Sequence, residues 1–229
     1  MLFIFLAILL LICGVLPQFW VRFVMRKHGK EIADMPGTGG ELAEHLVERY
    51  ELTGVQVVRG AQGQDHYQPA TKTVSLSPSN YDGRSITAVA VAAHEVGHAI
   101  QFAREERLSK LRGKYLPISV LFGKIGVMML LALPIVTFLL KAPGVIFIFI
   151  GLSLLFQLTG AAMYLIVLPE EWDASFNKAL PMLREGNYLP EQMMPAAHQV
   201  LKAAALTYCA AALANVVNIG RWFMVLMRR

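Results

Sequence analysis

Two apolar segments joined by a short turn constrain the fold of this chain most. They run from about Leu116 to Leu140 and from about Val145 to Leu168, and the sequence KAPG lies between them. Each is long enough to cross the hydrocarbon core of a bilayer, since about 20 helical residues span it. Because so short a connection makes two helices antiparallel neighbours, the sequence predicts a transmembrane hairpin over residues 116–168.

The first residues, MLFIFLAILLLICGVLPQFWV, form another apolar run. A cleaved signal peptide would have positive charge before this run and small residues at a cleavage site after it, and the sequence shows neither. We therefore expect an uncleaved transmembrane anchor over residues 1–21. Arg22, Arg26, Lys27 and Lys30 follow it, so the positive-inside rule places the next part of the chain in the cytoplasm.

The composition agrees with a membrane protein. Hydrophobic residues make up 55% of the chain, charged residues 16%, and the mean hydropathy is +0.49, so polar groups are too few to cover a water-soluble globule. The formal charge of +5 could by itself suit a nucleic-acid partner. However, the basic residues lie mainly beside the apolar segments, where they set orientation across a bilayer. We therefore expect no nucleic-acid partner.

A fourth span is less well defined. The segment from about Ala203 to Ile219 is short, rich in alanine and interrupted by Asn215 and Asn218. It lies within a C-terminal helix expected over residues 191–229. If it crossed the membrane, Arg221 and the two terminal arginines would lie outside, against the positive-inside rule. The sequence thus predicts three to four transmembrane helices.

Residues 31–115 are polar enough to fold as a small unit in the cytoplasm. Apolar residues at helical spacing predict a helix over about Glu41–Tyr50, which Thr38 or a neighbouring glycine can cap. The β-branched runs Val55–Val58 and Thr71–Ser77 predict short strands of a two- or three-stranded sheet, with turn sequence between them. The expected fold class is therefore a mainly α membrane protein with a small α+β unit.

A helix predicted over about Ile86–Glu106, which Ser85 can start, contains the sequence HEVGH. Residues four apart lie on one face of a helix, so His94 and His98 can share one metal ion, and zinc takes imidazole nitrogen readily. Glu95 lies beside that face, where it can accept a proton from a water molecule that zinc activates. The pattern predicts amide hydrolysis with Glu95 as general base.

A catalytic zinc needs a third protein ligand and one position open for water. No histidine follows at HExxHxxGxxH spacing, because position 104 is arginine. The remaining candidates are Glu170, Glu171 and Asp173 in the sequence LPEEWDAS, directly after the third apolar segment. Pro169 followed by three acids also suits an ordinary helix N-terminus, so local chemistry leaves the choice of ligand open.

Several segments together resemble a known family: DHY at 65–67, TKTVSLSPSNYDGRSI, AVAAHEVGHAIQ, LPEEWDAS and AAALTYCAAAL. They are similar to the bacterial membrane zinc metallopeptidases of the YugP kind, and the resemblance covers most of the chain. Members have LPxEFDAS after the third span, which implies Glu171 as the third zinc ligand on a helix over residues 169–187. Trp172 in place of phenylalanine is a mild departure. The implied cofactor is Zn²⁺.

The layout also resembles the gluzincin peptidases of the HtpX kind, which implies a gluzincin-like unit with an edge strand before the active helix. In that likeness residues 71–77 would be the edge strand that pairs with an extended substrate. Enzymes of that kind have an acid four residues after the ligand, where this chain has Ser175. Asp173 is then expected to hydrogen-bond a zinc histidine instead. His66 or Tyr67 could stabilise the oxyanion, a role that needs a donor opposite the zinc.

These observations together predict a zinc endopeptidase of the bacterial cell membrane, with its active site on the cytoplasmic side and a role in membrane protein quality control or processing. The expected partners are the lipid bilayer and a polypeptide or membrane-protein substrate, and a homo-oligomer or a membrane complex is compatible with such a chain.

A catalytically silent zinc-binding scaffold or regulatory partner is the alternative. Glu95 argues against it, because a structural zinc site usually fills its fourth position with a protein ligand. A transporter fits less well, since only Lys124 is charged within the spans.

Overall fold

The computed structural model describes residues 2–140 and 142–211, which are mostly helical. The chain divides into two units, one built mainly from residues 111–168 and the other from residues 20–110 and 169–207. In chain order the elements are α1 (Leu2–His28), α2 (Gly39–Arg49), β1 (Gln56–Arg59), β2 (His66–Gln68), β3 (Thr73–Leu76), α3 (Pro78–Tyr81), α4 (Ile86–Ala103), α5 (Arg107–Leu140), α6 (Pro143–Trp172), a π-helix (Asp173–Ala179), α7 (Leu180–Glu185), a 3₁₀ turn (Glu191–Met193) and α8 (Met194–Ala205).

Among the residues that the structure describes, two helical stretches are long and apolar enough to cross a membrane, Arg107–Leu140 and Gly144–Glu185. The first begins well before Leu116, where the apolar sequence starts. Over the expected N-terminal anchor, α1 is a single helix that continues to His28, past the predicted end of the anchor. A third span at α1 stays a prediction, and residues 212–219 of the predicted fourth span lie outside the described part of the chain.

Helices α5 and α6 lie side by side. The Ser119 hydroxyl donates to the Gly160 carbonyl over 2.7 Å, and the Ser153 hydroxyl donates to the Gly126 carbonyl over the same distance. Of the two α5 residues, Ser119 comes first in the chain, but its partner Gly160 comes after the other α6 residue, Ser153. The two helices are therefore antiparallel. Serine side chains that bond across helices are a usual contact between membrane spans. The position of this hairpin across a bilayer stays a prediction.

Helix α4 forms the centre of the other unit. Its residues from Ile86 to Gln101 are all buried, and α2, α8 and the π-helix pack against it. The Ser85 hydroxyl accepts from the Ala88 N–H over 3.1 Å, as expected of an N-cap. The helix ends at Ala103, before the predicted Glu106, because Glu105 turns the chain with a left-handed φ of 50°.

Helix α2 has the N-terminus that its sequence predicts. The Thr38 side chain accepts from the Glu41 N–H over 3.2 Å, and the Glu41 carboxylate accepts from the Thr38 N–H over 2.7 Å. This reciprocal capping box satisfies two N–H groups that a helix end leaves without partners. Thr38, rather than a neighbouring glycine, is therefore the cap.

The sheet has three strands in the order β1-β3-β2, with β1 parallel and β2 antiparallel to β3. The prediction that residues 71–77 form an edge strand is wrong. Strand β3 is central because it pairs on both sides, and Val74, Ser75 and Leu76 are buried accordingly. The edge strand β2 was predicted as turn sequence, because three residues are too few to show an alternating pattern.

The segment after the third apolar run differs from its prediction. The sequence predicts a separate helix from Pro169, but α6 continues through Pro169 to Trp172 and passes into the π-helix. At its C-terminal end, the Leu180 N–H bonds to the Ser175 carbonyl, five residues earlier. Such widened turns are rare and occur frequently at functional sites. Helical conformation thus continues from the end of the apolar run into the acidic segment.

Candidate metal centre

Three side chains from two elements meet at one point. On α4, the His94 and His98 Nε2 atoms are 3.2 Å apart, and Glu171 Oε2 from α6 is 3.3 Å from each. Tetrahedral zinc with ligand bonds of about 2.0–2.1 Å separates its ligand atoms by about 3.3 Å. The two nitrogens and one oxygen could therefore hold a single metal ion.

The centre is buried. Exposure is 5% for His94, 6% for Glu95 and 1% for both His98 and Glu171. A carboxylate is costly to bury unless it is paired or ligates a metal, so Glu171 beside two imidazoles fits zinc by charge as well as by geometry. Two histidines and one carboxylate are also a donor set found in catalytic zinc sites.

The three candidate acids occupy different places around the histidines. Glu171 alone of the three has an oxygen against both Nε2 atoms. The Oε1 atom of Glu170 instead lies 3.4 Å from the other ring nitrogen of His98, Nδ1, and Asp173 accepts from the Gln101 amide over 2.8 Å. The geometry therefore favours Glu171, in agreement with what the family resemblance implies.

The second ring nitrogen of His94 has a partner that the sequence did not reveal. Ser175 Oγ lies 3.0 Å from His94 Nδ1 and donates to the Leu201 carbonyl over 3.1 Å. Since the serine proton goes to that carbonyl, the serine oxygen accepts from Nδ1–H and leaves the lone pair on Nε2. The spacing of four residues between Glu171 and Ser175, on one face of a helical segment, was the available signal.

His98 has a different partner, Gln101, whose Oε1 lies 2.9 Å from Nδ1. The prediction that Asp173 contacts a zinc histidine directly is thus corrected, because Gln101 lies between them. Burial alone would raise the pKa of Asp173, but hydrogen bonds from Lys178, Gln101 and Asn177 lower it below its usual value. Asp173 is therefore an anionic anchor beside the centre.

The candidate oxyanion residues lie on β2. Tyr67 is buried, and its ring centroid is 5.6 Å from that of Phe102 on α4; burial also raises the pKa of Tyr67. Successive side chains of a strand point to opposite faces. His66 therefore lies on the face of the sheet opposite to Tyr67, and the oxyanion role of either residue stays a prediction.

Comparison with known proteins shows the family to which this chain belongs. The family model described as "Putative neutral zinc metallopeptidase" matches residues 3–227. The chain is 37% identical over 229 residues to the "Putative membrane protease YugP" of Bacillus subtilis (strain 168), across 99% of this chain and 97% of that protein. No solved structure matches it. The chain therefore belongs to the family described as putative neutral zinc metallopeptidases.

Proposed function

We propose that this protein is a membrane-embedded zinc endopeptidase in which His94, His98 and Glu171 hold the metal and Glu95 is the general base. The observation that carries the proposal is the triangle of two Nε2 atoms and one Oε2 atom, with sides of 3.2, 3.3 and 3.3 Å. Membership of a zinc metallopeptidase family supports it.

The position of Glu95 next to His94 and its burial support the proposed roles. When bound, zinc would supply Lewis acidity that brings the pKa of a water molecule toward neutrality. Glu95 directly follows His94 on α4 and is 6% exposed. Its carboxylate takes the proton of the attacking water and passes it to the leaving amine nitrogen. The buried surroundings exclude bulk water, which strengthens the electrostatic interactions within the centre.

The proposed substrates are polypeptides at the bacterial cell membrane, in quality control or processing of membrane proteins. Two long apolar helices and the similarity to a protein named as a membrane protease support this location. The basic residues after the first apolar run favour an active site on the cytoplasmic side. The lipid bilayer is then the main partner, and a homo-oligomer or membrane complex stays a prediction.

A catalytically silent zinc scaffold is the second candidate, and the burial of the centre favours it. The three proposed ligand residues are only 1–5% exposed, which suits a structural site as well as a closed enzyme. The difference lies in Glu95, because a structural site has no use for a base beside its metal. Replacing that base without removing the metal therefore separates the two candidates.

The experiment uses the full chain in nanodiscs, loaded with zinc, and an unfolded, fluorescently labelled polypeptide as substrate. Wild type is expected to cleave it, whereas Glu95→Gln is expected to keep its zinc and lose at least about 100-fold in rate, the contribution typical of a general base. Glu48→Gln, an exposed glutamate on α2, is the matched control and should cleave like wild type. Equal cleavage by Glu95→Gln would contradict the proposed mechanism, and a zinc-bound wild type without activity would favour the scaffold.

A further inference from the structure

We infer that Gln101 is a positioning residue, which holds His98 with Nε2 directed at the metal, and that Asp173 sets the direction of the Gln101 amide. The inference rests on the metal site of the proposed function. It adds two side chains that touch neither metal nor substrate and act through His98. The argument depends on which atoms can donate and which can only accept.

The direction of the Gln101 amide is fixed by its surroundings. Its Nε2 atom lies 3.0 Å from the Glu170 carbonyl oxygen and 2.8 Å from Asp173 Oδ2. A backbone carbonyl can only accept, and the Asp173 oxygen lies on the same side, so the NH₂ end of the amide must face them. The Oε1 end must then face His98 Nδ1, 2.9 Å away.

The amide direction in turn fixes the proton on His98. Because Gln101 Oε1 is an acceptor, His98 Nδ1 must be the donor of that hydrogen bond. Glu170 Oε1 also lies 3.4 Å from this nitrogen, and the nearness of a second oxygen is compatible with this assignment. A neutral imidazole protonated at Nδ1 has its lone pair on Nε2. That Nε2 atom faces His94 Nε2 and Glu171 Oε2.

The network is anchored between the two elements that bear the ligands. Gln101 is fully buried on α4, whereas Asp173 opens the π-helix. Asp173 also accepts from Asn177 over 2.8 Å and from Lys178, and Lys178 donates to Glu106 over 2.9 Å. Asp173 is thereby held in place, and it can orient Gln101 without contacting the histidine.

Exchanging the amide of Gln101 and the carboxylate of Asp173 tests the direction of the hydrogen bond between them. At mildly alkaline pH, Gln101→Glu would place a carboxylate against the Asp173 carboxylate and the Glu170 carbonyl, with no proton to donate. We expect it to weaken zinc binding by the 10- to 100-fold that is typical when a ligand's hydrogen-bond partner is lost. Adding Asp173→Asn supplies an amide that donates to the new carboxylate, so the double variant should recover most of the lost affinity. If Gln101 and Asp173 acted independently, the losses in zinc-binding free energy caused by the two substitutions would add.

The zinc dissociation constant is measured by chelator competition on the full chain in nanodiscs. Gln199→Glu is the matched control, since Gln199 Oε1 pairs with His28 Nε2 over 3.1 Å at an exposed place away from the centre, and its affinity should be unchanged. Wild-type affinity in Gln101→Glu, or no recovery in the double variant, would overturn the inference.

A second readout does not depend on zinc. The ¹⁵N spectrum of imidazole-labelled, metal-free wild type, with His98 assigned by comparison with His98→Gln, should show His98 protonated at Nδ1. A signal for protonation at Nε2 would overturn the inference even if the protein binds zinc and cleaves substrate. A wild type that binds no zinc but shows Nδ1–H would instead count against the proposed function alone.

Discussion

Gly97 lies directly against the backbone carbonyl of Ala174. A Cβ atom built at Gly97 would be 2.8 Å from that oxygen, a distance that real Cβ atoms essentially never show. The glycine inside HEVGH therefore lets the π-helix approach α4 closely. This approach brings Glu171, at the end of α6, within reach of the two histidines.

Gly97→Ala is therefore expected to push the π-helix away from α4. Overpacking of a tight core costs about 1–3 kcal/mol, and the displacement should also weaken zinc binding. Thermal unfolding and chelator competition measure the two effects. Gly113→Ala is the control, because nothing lies within 4 Å of a Cβ built there. It should leave the zinc affinity unchanged, and it should leave the stability unchanged or raise it slightly. Unchanged zinc affinity in Gly97→Ala would contradict the expected displacement.

Glu171→Gln and Glu170→Gln distinguish the two adjacent acids. Both carboxylates are 1% exposed, so the two variants disturb packing to a similar degree. We expect Glu171→Gln to lose zinc, since the Glu171 oxygen faces both Nε2 atoms. We expect Glu170→Gln to retain it, since the hydrogen-bond partner of His98 Nδ1 is Gln101. Metal analysis of the purified variants measures how much zinc each one retains. The opposite result would make Glu170 the ligand.

Ser175→Ala removes the acceptor of the His94 Nδ1 proton and the donor to the Leu201 carbonyl. We expect zinc affinity to fall by about 10- to 100-fold, as for other lost partners of ligating histidines. The measurement is chelator competition, beside Ser79→Ala, an exposed serine away from the centre. A zinc affinity equal to that of wild type would show that Leu201 and Ser175 do not position His94.

Removal of the metal should lower the melting temperature of the wild type. A ligand that binds only the folded state stabilises it by about 2.7 kcal/mol at a concentration 100-fold above its dissociation constant. Chelation should therefore shift the unfolding curve of wild type and leave that of His94→Ala in place. The same shift in both proteins would mean that the chelator acts elsewhere.

Some features could be predicted because they depend on near neighbours in the chain. The capping box of Thr38 and Glu41 joins residues three apart, and the helical spacing of His94 and His98 places both rings on one face. The length of the apolar runs likewise predicted long helices. Predictions failed where distant segments decide the structure: β3 is central because β2 pairs with it, and a three-residue strand shows no pattern of its own.

By itself the sequence predicted two ligands and a base, because helix geometry fixes the relation between positions 94, 95 and 98. The family resemblance implied Glu171 as the third ligand, but only the tertiary structure showed its oxygen against both Nε2 atoms. Only the tertiary structure also showed that Ser175 and Gln101 contact the Nδ1 atoms of the two histidines. The physical reason is that the rotation of one helix against another is set by packing, here by the close approach at Gly97 and the widened turn of the π-helix. Neither can be derived from the spacing of residues along the chain.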